Sequence, residues 1–184
     1  MTRKPKLLDI HLAGDKCLIE KAKPVQDISP EIKNLVNDMI LTMYEKDGVG
    51  LAAPQVGKSL RIFVCDPDWS KTDVKNPLII INPEFLNMEG EQSSDEGCLS
   101  VPGIFEKVKR FDKVTLKYLD LHGKDQIIEA EGFFAVVLQH EYDHLDGILF
   151  IDKIPKIRQL VIKKKVSLIK SSTDENGENI RHDI

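Results

Sequence analysis

The sequence predicts an α+β fold: short, mostly antiparallel strands in small sheets around a central helix, with one helix in the N-terminal half and one at the C-terminal end. Three observations predict it. Residues 133–147, FFAVVLQHEYDHLDG, pass from an apolar run through H-E-x-x-H to a glycine, as a helix with a stop signal should. The middle of the chain holds short apolar or alternating segments broken by turn residues. Helical patterns stand before and after that stretch instead of alternating with it, which argues against a doubly wound sheet.

Taken in order, residues 1–28 show little periodicity. Leu7, Leu8, Ile10, Leu18 and Ile19 are candidates for an arm packed on the body. Ser29 suits a helix N-cap, Pro30 the first turn and Glu31 the positive end of the helix dipole. Ile32, Leu35, Val36, Met39, Ile40 and Met43 then recur at intervals of three and four, which predicts a helix over 30–46 ending before Asp47-Gly48. Residues 60–65 read as a buried strand, 66–77 as a polar loop, 78–82 as a strand ending at Pro83, and 84–95 as a partly exposed strand. Val114, Leu116 and Tyr118 alternate with polar residues, His122-Gly123 makes a hairpin turn, and 126–131 is the return strand. After Gly147, residues 148–151 form an apolar run readable as a strand, and Pro155 can open a last helix.

At 184 residues, 41% hydrophobic and 30% charged, the composition is that of one ordinary globular domain. The expected division is a catalytic domain over 1–170 and a polar, flexible tail over 171–184. The net charge of −4 argues against general nucleic-acid affinity, and no DNA partner is expected. There is no secretory h-region and no apolar run near the roughly 18 residues of a membrane span. An odd count of three cysteines suits a reducing compartment, so the expected location is cytoplasmic and no membrane partner is expected. In the last helix, Lys156, Arg158, Lys163, Lys164, Lys165 and Lys170 interleave with apolar residues. A solvated face is the plain reading, and a contact with RNA or another polyanion the sharper one.

On a helix, His140 and His144 lie on one face, one turn apart, and can aim two imidazoles at one metal ion, with Glu141 in reach of a water on it. Alone, that motif suggests a metalloprotease. Cys98, in the segment EGCLSVPG, is a candidate third ligand, although a lone cysteine is more often a small buried hydrophobe. The loop GVGLAAPQVG over 48–57 reads weakly as a phosphate cradle and better as a loop that holds an extended peptide by its main chain. There Gln55 either donates a hydrogen bond into a site or is a solvated loop residue. Arg110 is a candidate partner for Glu96, and Asp143 and Asp146 for a ligand histidine or for solvent. Cys17 and Cys65 are read as unliganded, Trp69 has no assigned role, and His11, His122 and His182 have no partners at metal-ligand spacing.

Together, GVGLAAPQVG, EGCLSVPG and QHEYDHLDG resemble, in order and approximate spacing, the three signature motifs of peptide deformylases, in the bacterial form common in Gram-negative organisms. Weaker similarity runs from about residue 23 to 152. The stretch from Gly14 to Ile19 departs from the Pro-Asp-Pro-x-Leu-Arg-like sequence common at that place. The resemblance implies a hydrolase that removes the formyl group from formyl-methionyl nascent chains and releases formate. It implies that Cys98, His140 and His144 hold one divalent metal with a water in the fourth position, and that Glu141 is general base and later proton donor. It implies that Gln55 and the Leu99 backbone N–H stabilise the oxyanion, that Gly50 and its neighbours pair with the substrate main chain, and that Gly97 also binds substrate. Val49, Phe133, Val136 and Val137 would form the methionine pocket with His140. Fe(II) is the expected metal, with Zn(II), Ni(II) or Co(II) as substitutes in purified protein. Ribosome contact through the basic C-terminal helix would follow family habit. The competing readings are a zinc peptidase, against which Cys98 and Gln55 speak, and a catalytically silent peptide- or ribosome-binding relative.

Overall fold

The computed structural model describes residues 3–72 and 74–181. In chain order the elements are β1 (Ile10–His11), α1 (Pro30–Glu45), β2 (Gly50–Ala52), β3 (Ile62–Cys65), the single turn α2 (Trp69–Thr72), β4 (Leu78–Glu89), β5 (Gln92–Cys98), β6 (Val101–Arg110), β7 (Lys113–Leu119), β8 (Asp125–Glu131), α3 (Gly132–Leu145), α4 (Lys156–Lys170) and β9 (Ile180–Arg181). A five-stranded sheet has the order β2-β3-β4-β7-β8, β5 and β6 form a hairpin, and β1 pairs with β9. All these pairings are antiparallel. The fold is the α+β arrangement expected, with the H-E-x-x-H helix α3 touching both the five-stranded sheet and the hairpin.

The burial of α3 follows from its sequence. Ala135, Val136, Val137, Leu138, Gln139, Glu141, Asp143, His144 and Leu145 are all buried, so no face is given over to water. A helix apolar nearly all round belongs in a core. Ala135, Val137, Leu138 and Leu145 pack with Phe63, Ile80, Val114 and Leu116 of the sheet. Val36, Met39 and Met43 of α1 join a second cluster with Leu51, Ile62 and Ile81. Ser29 caps α1 as expected, its hydroxyl accepting from the Ile32 N–H.

Four expectations need correction. The strand from Leu78 does not stop at Pro83 but runs to Glu89. Its register against β7 shifts between Ile81 and Glu84, Asn82 takes φ 50°, and the Asn82 amide exchanges two 2.8 Å hydrogen bonds with the Val25 backbone. Pro83 therefore stands at a bulge, where no ladder N–H is required. The strand expected over 84–95 is split by a turn at Gly90 between β4 and β5. The whole of β6 escapes sequence reading because the inward set Ile104, Glu106, Val108 and Arg110 is half charged. Each buried charge is paired: Glu106 accepts two hydrogen bonds from Arg158 of α4, and Arg110 donates two to Glu96.

Residues 148–151 are not a strand. Phe150–Asp152 make a 3-10 turn in which the Asp152 carboxylate accepts from the Leu149 N–H. Of the tail expected to be loose over 171–184, the described part is docked on the body as far as β9, and residues 182–184 lie outside the described residues. Asn179 is 1% exposed, its backbone carbonyl accepts from Leu12 N–H, and its side-chain amide donates to the carbonyls of Ala13 and Ile169. In the N-terminal arm, Ile10 and Leu18 are buried, whereas Leu7 and Ile19 are exposed.

Candidate active site

The end of β5, the 3-10 turn Ala53–Val56 and the C-terminal half of α3 converge here. Cys98 ends β5, just before the turn into β6. His140 and His144 come from α3, with ring centroids 5.1 Å apart. One donor atom from each of Cys98, His140 and His144 lies within 4.8 Å of the others, and Cys98 Sγ is 3.3 Å from His144 Nε2. The sequence-predicted ligands are therefore brought together, as one thiol and two imidazoles.

Behind this set stands a buried ionic chain that the sequence only partly suggested. His140 Nδ1 donates to Glu96 Oε2 at 2.8 Å. Arg110 clamps the same carboxylate with Nε to Oε1 at 2.6 Å and Nη2 to Oε2 at 2.9 Å. Its remaining nitrogen, Nη1, reaches Asp143 Oδ2 at 2.5 Å, and Lys153 holds the other Asp143 oxygen at 2.8 Å. The expected Glu96–Arg110 pair is present. Asp143 and Asp146 do not bond a ligand histidine: Asp143 joins Arg110, and Asp146 takes Arg61 Nη1 at 2.7 Å. The histidine partner is Glu96, which sequence reading assigned only to Arg110.

Burial works against ionised Glu96, yet the hydrogen bonds from Arg110 and His140 hold its pKa down at about 2. Burial also opposes a charged His140, but Cys98, Glu96 and Glu141 outweigh it and keep this ring's pKa well above the usual histidine value. His144 is pushed the other way, by burial first and then by the positive charges of His140 and Arg110. Glu141 is raised to about 7: burial dominates, His140 and Arg110 pull it down, and Glu96 pushes it up.

The Glu141 carboxylate is 4% exposed and its Oε2 has no hydrogen-bond partner; His144 Nδ1 is likewise buried without one. Unpartnered buried polar atoms cost roughly 1–3 kcal/mol each, so their presence beside three ligand atoms points to a bound group. A divalent cation fits the donor set and the negative surroundings. Gly50 leaves the space that Glu141 occupies: a Cβ there would overlap its carboxylate.

Gln55 is not a solvated loop residue. It is 2% exposed in the 3-10 turn Ala53–Val56. Its Oε1 accepts from the Ala52 N–H at 2.8 Å, which turns Nε2 toward Cys98 Sγ at 3.4 Å and Ser100 Oγ at 3.2 Å. The 48–57 segment is thus a strand and a tight turn, without the strand-loop-helix setting of a phosphate cradle. Trp69 braces its start by donating to the Gly48 carbonyl at 2.9 Å.

A cavity of about 450 Å³ opens onto this centre. Val49, Gly50, Gln55, Gly97, Cys98, Leu99, Phe133, Val136, Val137, His140 and Glu141 all line it, and His144 lies behind them. Pro102 and Phe105 on the opposite wall were not anticipated, since β6 was not. Phe105 is 74% exposed and lies against Gly97.

The family model described as polypeptide deformylase matches residues 7–160. Peptide deformylase 1 of Clostridium perfringens is 52% identical over 144 residues, covering 78% of this chain and 95% of that one. The peptide deformylase of Endomicrobium trichonymphae is 46% identical over 167 residues, covering 91% and 98%. Among solved structures, a peptide deformylase from Legionella pneumophila superposes with a TM-score of 0.83 at 42% identity, covering 90% of this chain and 96% of that one.

Proposed function

Because the chain belongs to the peptide deformylase family, we propose that Cys98, His140 and His144 hold its metal, that Glu141 moves its protons, and that Gln55 and Leu99 stabilise its oxyanion. The enzyme removes the N-terminal formyl group from newly made polypeptides and releases formate. The observation that carries the residue assignment is the convergence of three ligand atoms within 4.8 Å beside the unpartnered Glu141 carboxylate.

The substrate is an amide, which resists attack by water. When bound, the metal supplies a Lewis acid that polarises the formyl carbonyl and renders an attacking water more acidic. Glu141 takes the proton of that water. Burial raises its pKa above the ordinary carboxylate value, which lets it hold that proton and return it to the departing α-amine. In this reading the Gln55 Nε2–H and the Leu99 N–H would donate to the carbonyl oxygen as it gains charge. The Ala52 N–H fixes the Gln55 amide on the side of Cys98, which keeps its Nε2 at the site. The main chains of Gly50 and Gly97 lie open to the cavity and suit an extended peptide. Val49, Phe133, Val136 and Val137 offer the apolar wall a methionine side chain requires.

The native metal is Fe(II) in this reading. Two imidazoles and a thiolate suit zinc or ferrous iron. Iron beside the Cys98 thiolate invites its oxidation. Iron-loaded enzyme should lose formate release in air faster than nickel- or cobalt-loaded enzyme; equal rates of loss would remove iron from the proposal.

Contact with the ribosome belongs to the same reading, supported by α4. Ile162 packs inward, while Ile157, Leu160, Val161 and Leu168 are 63–68% exposed among lysines. Arg158 is engaged by Glu106, so the basic face rests on Lys163, Lys164 and Lys165 and their lysine neighbours. Among the described residues no helix is long and apolar enough to cross a membrane.

A further inference from the structure

His11, Asp15 and Cys17 meet beside the turn that carries Gln55, on the side reached by the N-terminal arm. One donor atom of each lies within 4.8 Å of the others. Asp15 is 2% exposed, and His11 and Cys17 are half-buried, so the trio has a closed floor and an open edge. Its members are held in place from several directions. Asp15 Oδ1 accepts from the Cys17 N–H at 2.9 Å, and Oδ2 from the Asn179 N–H at 2.9 Å. The His11 ring is seated over Gly57, where a Cβ would lie 2.6 Å from Nε2. Its Nδ1 meets Asp15 Oδ2 at 2.6 Å, and Cys17 Sγ donates to the Pro54 carbonyl at 3.2 Å.

We propose that His11, Asp15 and Cys17 form a second cation site, separate from the Cys98 centre, for a borderline-soft divalent ion such as Zn(II) or Co(II). A thiolate, an imidazole and a carboxylate suit such ions and disfavour magnesium or calcium. The carboxylate is pre-oriented by two backbone N–H groups, as metal ligands usually are. Binding replaces the Cys17–Pro54 and His11–Asp15 hydrogen bonds: the thiol proton leaves to solvent, and the imidazole proton moves from Nδ1 to Nε2. Bonds of about 2.0 Å at a tetrahedral centre set N and O donors about 3.3 Å apart. His11 and Asp15 must then part by about 0.7 Å, a small move for a partly exposed ring. Burial and the Asp15 charge hold the Cys17 thiol protonated. That same negative charge favours a divalent ion in the proton's place.

The test is an anaerobic Co(II) titration of the full chain, read by the thiolate-to-cobalt charge-transfer absorption. Cys98→Ser protein should keep such a band, and the further change Cys17→Ser should abolish it. Metal-free wild-type protein should take up two tightly held equivalents of Zn(II), and Cys17→Ser protein one, with formate release within about twofold of wild type as proof of folding. His11→Ala should weaken the second equivalent by about tenfold or more. A Cys98→Ser protein without the band, a band that survives in the Cys98→Ser, Cys17→Ser double variant, or a single equivalent in both wild type and Cys17→Ser would each overturn the site and leave the trio a hydrogen-bonded latch.

Discussion

His140 Nδ1 donates to Glu96 Oε2 across 2.8 Å, which leaves Nε2 as the ring atom that a metal would take in place of a proton. Glu96 is itself held by two bonds from Arg110, so ring orientation is set by a chain from β5 through β6 to α3. Replacing Glu96 with Gln keeps the shape but loses the charge. Metal affinity, measured by competition with a chelator, should fall about 10–100-fold. The rate per bound metal should change much less.

The pH dependence of stability in metal-free enzyme should show two opposed limbs. The folded Glu141 pKa of about 7 lies above its ordinary 4.5, so the folded state binds this proton more tightly than the unfolded one. The Glu141 contribution is therefore lost as pH rises from about 4.5 to about 7, a drop on the order of 3 kcal/mol. Glu96 acts in the opposite sense: its folded pKa of about 2 lies below 4.5, so its contribution is present above 4.5 and lost as pH falls toward 2. Denaturant melts of Glu141→Gln should lack that drop and keep the acid limb.

Gln55→Ala should lower kcat by about 10²–10³-fold, the usual cost of one oxyanion donor. The KM should move little, because the interaction strengthens only as charge develops on the oxygen. A KM effect with unchanged kcat would assign Gln55 to ground-state binding.

Charge reversal of Lys163, Lys164 and Lys165 to Glu should release the enzyme from ribosomes in a co-sedimentation assay, most visibly at low salt. The same variant should cleave formyl-Met-Ala-Ser at the wild-type rate, since α4 does not line the active-site cavity. Unchanged co-sedimentation would count against a role for this helix.

Much of this was legible in the sequence because it rests on short-range pattern. The spacing of His140 and His144 fixed their common face, Ser29-Pro30-Glu31 marked the start of α1, and three motifs together drew in Cys98 and Gln55. What escaped depends on partners distant in the chain. Glu106 looks like a solvent position until Arg158 is seen beside it, and the Glu96–Arg110 pairing legible in the sequence does not by itself reveal a strand, so β6 lost its alternation. Asn179 looks like tail until Asp15 and Ala13 meet it. His11 has no histidine or cysteine at a familiar metal-motif spacing; its neighbours are a carboxylate four residues on and a cysteine six residues on. Pro83 was read as a terminator by local rule, and the long-range Asn82–Val25 pairing overrides it.

The central claim is that Glu141 is the proton carrier at a metal held by Cys98, His140 and His144. Its most direct test is formate release from formyl-Met-Ala-Ser by anaerobically Fe(II)-loaded Glu141→Gln enzyme, with bound metal measured in the same samples. The expected result is a full metal complement with kcat lowered by at least about 10²-fold. Near-wild-type formate release from the metal-replete variant would contradict it.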